Sequence, residues 1–182
     1  MDSLTRCAQA QREIGLALGE PPTTKGYTPS VFALLPKLVE RTGRTEAGSI
    51  TAFYTVLMEE DDLQDPIVDA ARAILDGHIV LSRRLADAGI YPAVDVGASV
   101  SRLQTRIVPE AERTLSLRFK ALWSRYTEQE DLISMGAYQR GADALTDEAI
   151  ARRNKLAEFL RQPASQQVTY AESMARLRVL FG

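Results

Sequence analysis

Leu4, Cys7, Ala8, Ile14 and Leu18 recur at helical spacing from the start of the chain, and Gly19 followed by Pro21 and Pro22 predicts where that first helix stops. Thr28 and Pro29 make an N-cap and first-turn pair for a second helix, with Val31, Phe32, Leu35, Leu38 and Val39 on its apolar face. Pro36 inside it predicts a kink, because proline removes a backbone donor and crowds the carbonyl one turn back. Residues 50–58, ITAFYTVLM, then break the helical period. A run of β-branched, aromatic and aliphatic residues of this kind predicts a strand buried on both faces. Pro66 opens a third helix that runs to Leu75, residues 78–82 form a second short strand, and residues 91–94 a third. Strand, helix and strand in that order predict a parallel sheet.

Beyond Pro109 the strand signal disappears and apolar positions fall on helical stripes. Ala111, Leu115, Phe119, Leu122 and Tyr126, spaced by four, four, three and four, form one continuous face. A further helix starts near Thr146, taken as its N-cap, with Asp147 and Glu148 in the first turn and Ala149, Ile150, Leu156, Ala157 and Leu160 on one side. Residues 168–181 form a last short helix. The predicted fold is an α/β part, residues 1–108, followed by an all-α bundle of about four helices, residues 109–182. No low-complexity linker or internal repeat separates them.

Composition narrows the class. The 182 residues can bury a real core, and 22 basic against 24 acidic side chains leave a formal charge of -2, which disfavours nucleic-acid binding by bulk charge. One cysteine, Cys7, excludes an internal disulfide, so a cytoplasmic location is the default expectation. No apolar run approaches the roughly 20 residues that span a bilayer.

The motifs go further than periodicity. The opening MDSLTRCAQAQREIGLALGEPPTTKGYTPSVFALLPKLVERTG, then GSITAFYTVLMEEDDLQDP, then ILDGHIVLSRRLADAGIYPAVDVGASVSR, resemble in that order the segment beginning at the Walker B aspartate of type III secretion ATPases, relatives of the catalytic subunit of rotary ATP synthases. TTKGYTPSVFALLPKLVERTG looks more like the virulence type than the flagellar type. The resemblance implies the C-terminal part of a RecA-like parallel-sheet nucleotide-binding domain followed by an all-α helical bundle. It also marks what is missing. Phosphate binding in that family needs GxxxxGK[ST], whose backbone amides wrap the phosphates. No Gly-Lys pair occurs here, so the expected reading is a C-terminal fragment that starts at the Walker B aspartate and is inactive alone.

The resemblance implies roles for individual residues. Asp2 would hold Mg2+ through a bound water, a carboxylate suiting a hard cation that keeps its hydration shell. Arg6, four residues on and taken to share a helical face with Asp2, would lie near the terminal phosphate of ATP. Arg102, in VGASVSR, would reach from the subunit edge into the neighbouring subunit's site, where a planar, permanently charged fork meets the charge of the transferred phosphoryl group. Tyr91, in IYPAVD, would stack on adenine, and Tyr170 would add a second aromatic, although QPASQQVTY departs from the rotary pattern QPF by having Ala164. The acidic run of Glu59, Glu60, Asp61, Asp62 and Asp65 reads as a solvated loop tip, or, through the resemblance, as a segment facing a central coiled-coil stalk. His78 and Cys7 lack partners for a zinc or nucleophile pair and read as structural.

The parent so implied is a cytoplasmic homohexameric ATPase, peripheral to the inner-membrane export apparatus. It would hydrolyse ATP with Mg2+ to release chaperones and unfold export substrates, and no nucleic acid would be involved. A flagellar export ATPase remains the alternative, as does an interaction module without catalysis. A hexameric motor of the transcription-terminator type shares the MDSLTR-like neighbourhood, but it needs a basic channel where this chain offers an acidic segment. The KGYTPSVFALLPKLVERTG block argues against an ATP synthase subunit.

Overall fold

The structure is a computed structural model that describes residues 1–58 and 65–182. By internal contact the chain divides into two compact units, Met1–Asp76 and Gly77–Gly182.

In the first unit α1 (Leu4–Ala17) and α2 (Pro29–Val39) pack together, and α3 (Pro66–Ile74) packs on α2. Ser3 caps α1 by accepting from the Arg6 amide, while Gly19 takes the left-handed φ of 82° just past its end. The α1–α2 approach requires glycine at position 15, since a Cβ there would sit 2.4 Å from Thr28 Oγ1. Leu4, Ala8, Tyr27, Val31, Leu35 and Ile67 form the core, with Phe32, Tyr54 and Val56 packed against it. Pro36 lies inside α2, which continues to Val39.

Two expectations change here. A short exposed antiparallel hairpin, β1 (Gly43–Thr45) with β2 (Gly48–Ile50), occupies the start of the run taken for a buried strand. Residues 51–58 then alternate between exposed and half-buried positions rather than being buried on both faces. Tyr54 and Val56 reach the core, whereas Phe53 is 77% exposed. The segment does hydrogen-bond like a strand. The Thr55 amide donates to Met1 O, the Leu4 amide to Thr55 O, and the N-terminal amine to Phe53 O, so the paired residues advance in the parallel sense.

In the second unit β3 (Gly77–Leu81) pairs antiparallel with β4 (Val94–Ser101), with a bulge between His78 and Val80. The parallel expectation concerned the strand at 50–58, the helix from Pro66 and the strand at 78–82, which fall in different units; between β3 and β4 the pairing is antiparallel, and the short connection accounts for it. Only α4 (Arg83–Asp87) and a turn connect the strands. Five helical residues advance about 7.5 Å, against about 16 Å for a five-residue strand, so the chain re-enters at the end it left. The third strand accordingly starts at Val94, not Tyr91. Close pairing at the far end depends on Gly77, where a Cβ would lie 2.5 Å from Val100 O.

The helices α5 (Gln104–Ile107), α6 (Glu110–Ser134), α7 (Ala144–Leu160) and α8 (Tyr170–Phe181) complete this unit. After Pro109 there are three helices, where about four were expected. The long α6 absorbs 25 residues because its stripe of Leu115, Phe119, Leu122 and Tyr126 never loses register. Leu85, Ile90, Phe119, Leu122, Trp123, Ala149, Leu156, Ala157, Met174 and Leu177 share one core. The α7 cap is Asp143 rather than Thr146: its carboxylate accepts from the Thr146 amide and hydroxyl, so the helix begins two residues before Thr146. A reciprocal capping box of Thr169 and Glu172 starts α8.

Candidate functional site

Asp2 and Arg6 belong to the first unit, while Tyr91, Arg102 and Tyr170 belong to the second. Asp2 is exposed and lies before the Ser3 cap, in the segment that runs beside residues 53–57. Thr55 Oγ1 donates to its Oδ1 at 2.6 Å, which orients the carboxylate. Since helical geometry begins only after Ser3, the expected one-turn relation of Asp2 to Arg6 on a shared helical face does not hold. Arg6 stands exposed in the first turn of α1, its amide bound by Ser3 Oγ at 3.2 Å. Behind it Thr5 is buried, and its hydroxyl binds both the amide and the carbonyl of Leu57. The start of α1 is thus fixed to the neighbouring extended segment at Thr55 and Leu57.

Arg102 is exposed and follows the last residue of β4 directly. A bulged stretch leads to it. Ser99 Oγ donates to Asp95 O at 2.6 Å and accepts the Val80 amide, the Asp95 carboxylate accepts the Ala98 amide, and Lys120 Nζ of α6 donates to Ser99 O at 2.9 Å. These bonds fasten the strand end that presents Arg102 to both β3 and α6. Lys120 carries no motif, and its contribution is legible only once α6 is laid against β4.

Tyr91 sits in the bend before β4 with its side chain 58% exposed. Its carbonyl accepts the Gln162 amide at 2.9 Å, which joins the IYP loop to the QPASQQVTY segment after α7. That segment is held in turn by Gln162 Nε2 on Gln166 O. The structure therefore joins the Tyr91 loop to Gln162, eight residues before Tyr170 in the chain.

Tyr170 is the first residue of α8 and is 63% exposed. Its hydroxyl donates to Glu112 Oε2 of α6 at 2.7 Å, and Arg178 Nη2 binds the other oxygen of the same carboxylate at 2.8 Å. The bond to Glu112 raises the Tyr170 pKa above the usual phenol value, helped by desolvation and by the Glu112 charge, with Arg178 opposing. Glu112 is a residue the motifs do not mark.

Asp65 departs from its expected role. It is 5% exposed, and its Oδ1 accepts the Ile67 and Val68 amides at 2.8 and 3.1 Å as the N-cap of α3. A carboxylate used this way is inside the fold and is not part of a solvated loop tip. Glu59, Glu60, Asp61 and Asp62 lie outside the described residues. Cys7 is half-buried on α1. Among the described residues no helix is long and apolar enough to cross a membrane.

A nucleotide and Mg2+ suit the groups present. Magnesium usually takes one or two carboxylates together with substrate phosphates, and Asp2 supplies one such oxygen group, already oriented by Thr55. An aromatic side chain can stack on a purine, and Tyr91 and Tyr170 of the second unit are both largely exposed.

Residues 1–101 match the ATP synthase alpha/beta family, nucleotide-binding domain, and residues 108–179 match the T3SS EscN ATPase C-terminal domain. The chain is 63% identical over 99% of its length to the flagellum-specific ATP synthase of Pseudomonas aeruginosa, and 52% identical over 97% to the type 3 secretion system ATPase of Xanthomonas euvesicatoria. It spans 40% of each of those proteins. Among solved structures it is similar to the assembled ATPase EscN from the enteropathogenic E. coli type III secretion system, with 43% identity and a TM-score of 0.94 over 100% of this chain and 44% of that one. EscN in complex with its central stalk EscO gives 42% identity and a TM-score of 0.88 over 100% and 43%.

Proposed function

The chain belongs to the ATP synthase alpha/beta family, and from that premise we propose that it is the C-terminal part of a ring ATPase that hydrolyses ATP to energise type III protein export. The observation that carries this reading is the succession of the two family matches, residues 1–101 and then 108–179, along one chain. The same succession supports a division at about residue 108 between an ATPase portion, 1–108, and a helical domain, 109–182. In the intact protein ATP and Mg2+ are the cofactors, neighbouring subunits of a homohexamer complete each site, and chaperones and export substrates are the cargo. The ring is cytoplasmic and peripheral to the membrane export apparatus. A central stalk as partner is supported by the EscN–EscO complex, and the acidic run that begins at Glu59 is the segment we assign to that contact.

The residues divide the work by chemistry. Asp2 holds the hydration shell of Mg2+, and Arg6 lies near the terminal phosphate. Tyr91 and Tyr170 receive the base. Arg102 acts in trans, neutralising charge that grows on the equatorial oxygens during phosphoryl transfer, so that it favours the transition state over bound ATP. Its backbone follows directly on a strand end pinned by Ser99 and Lys120, which fixes the point from which the side chain reaches out.

A second reading, that the export system is flagellar, is favoured by the 63% identity to the Pseudomonas protein. Loss of motility rather than of effector secretion on deleting the gene would select it. The ATPase reading itself is tested by Arg102→Ala in the intact ring. Turnover should fall by about a thousandfold or more, as for other arginine fingers, with nucleotide affinity little changed. A fall of less than tenfold would contradict the assignment.

A further inference from the structure

Tyr170 is an exposed aromatic held at two ends. Its backbone is fixed by the Thr169–Glu172 capping box, and its hydroxyl is fixed by Glu112 from the facing helix α6. Exposed tyrosines ordinarily sample several rotamers, and ordering one on binding costs affinity. Here the ring is already stationed while most of its surface stays open to solvent. Glu112 is only 16% exposed and is itself held, because Arg178, two turns along α8 from Tyr170, binds its second oxygen. The carboxylate therefore ties both ends of α8 to α6 and anchors the Tyr170 ring at its hydroxyl.

We propose that Glu112 is a positioning residue for nucleotide binding, setting the Tyr170 ring in place before the base arrives. The inference rests on the reading of Tyr170 as a nucleotide contact and deepens it. Glu112 touches no reacting atom, so its effect belongs to KM and not to kcat. Neither the capping box nor Arg178 alone could do this. The box fixes only the backbone, and the Arg178 head reaches Glu112, not the ring.

The test uses the intact ATPase with three variants. Glu112→Met keeps side-chain length and helix preference but removes the acceptor. Tyr170→Phe keeps the ring and removes the donor, and Tyr170→Ala removes the ring. Glu112→Met and Tyr170→Phe should each raise KM for ATP about threefold to tenfold, the scale of one side chain that must be ordered on binding. The double variant should go no further than either alone, because both break the same bond. Tyr170→Ala should raise KM by about tenfold or more. If Tyr170→Ala raises KM while the other two do not, the nucleotide reading of Tyr170 stands and the positioning role of Glu112 is overturned. If Tyr170→Ala leaves KM unchanged, the nucleotide reading fails and takes the inference with it. A spectroscopic readout on the present chain is independent of catalysis. The phenolate absorbance assigned to Tyr170, by difference from Tyr170→Phe, should titrate at lower pH in Glu112→Met; an unchanged titration would show that the bond does not form in solution and would overturn the proposal.

Discussion

Replacing Asp65 by alanine should loosen α3 while a neutral cap keeps it. The carboxylate is 5% exposed and one oxygen, Oδ1, accepts two amides, from Ile67 at 2.8 Å and Val68 at 3.1 Å. Losing an exposed cap costs about 0.5–2 kcal/mol, because water takes over the orphaned donors. Water has little access here, and a buried donor left without a partner costs about 1–3 kcal/mol. Asp65→Ala should therefore destabilise the first unit by about 2–4 kcal/mol. That is a large share of the total for a unit of this size, given about 0.05–0.15 kcal/mol per residue in folded domains. Asn caps as well as Asp, and its amide oxygen can accept the same two bonds. Asp65→Asn should lose only the charge interaction with the helix dipole, about 0.3–1 kcal/mol. Hydrogen exchange over residues 65–74 reads this directly. In Asp65→Ala the Ile67 and Val68 amides should lose protection, and urea unfolding followed by helical circular dichroism should begin at lower denaturant. Unchanged protection in the alanine variant would show that Asp65 is a surface carboxylate after all and would refute the capping argument.

Other outcomes follow from the second unit. Phe119 is 4% exposed, stacks on Trp123 with centroids 6.3 Å apart and meets Phe159 at 5.1 Å; Phe119→Ala should cost about 3–5 kcal/mol, seen as an earlier urea midpoint in the fluorescence of Trp123, the one tryptophan of the chain. A shift below about 1.5 kcal/mol would mean the site collapses to fill the gap. The Thr146 hydroxyl, then its amide, hold Asp143 below the usual aspartate range, and the Thr169 amide and hydroxyl do the same for Glu172. Lowered folded values mean that both groups stabilise the fold above the ordinary carboxylate pKa and that the contribution is lost as pH falls through those lowered values, below about pH 4. Asp143→Asn keeps a cap but cannot titrate, so it should flatten part of the acid limb of stability measured from pH 6 to pH 2; an acid limb identical to that of the parent would contradict the assignment.

Helix periodicity carried over to the structure with small shifts, and the reasons for the shifts are local. Asp143 and Thr146 are both competent caps, and the choice of Asp143 rests on a carboxylate that can accept from the Thr146 amide and hydroxyl together. Strand partners were harder to read. The run at residues 50–58 carries apolar residues on both faces, and its period of two emerges only where Tyr54 and Val56 meet a core that Phe53 and Leu57 do not reach. The antiparallel turn from β3 to β4 depends on the length of α4, which spacing in LSRRLADAG does not reveal. Of the candidate site residues, Arg102, Tyr91 and Tyr170 were legible through motifs. What holds them, namely Lys120 on Ser99, Gln162 on Tyr91 and Glu112 on Tyr170, joins residues 21, 71 and 58 positions apart. Such pairs leave no local signature. The shared helical face expected for Asp2 and Arg6 is absent for the opposite reason: helical spacing does not extend across the cap residue Ser3, where the helix has not begun.

The most direct measurement is complementation between two inactive rings. One variant of the intact protein carries Arg102→Ala with its own phosphate loop untouched, and the other carries a disabled phosphate loop with Arg102 retained. At a shared interface the first supplies a working site and the second supplies the arginine. Subunits mixed under conditions where hybrid rings form should recover ATP hydrolysis that neither variant shows alone, in proportion to the fraction of interfaces that combine the two. If hybrid rings assemble and no activity returns, Arg102 does not act across the subunit boundary.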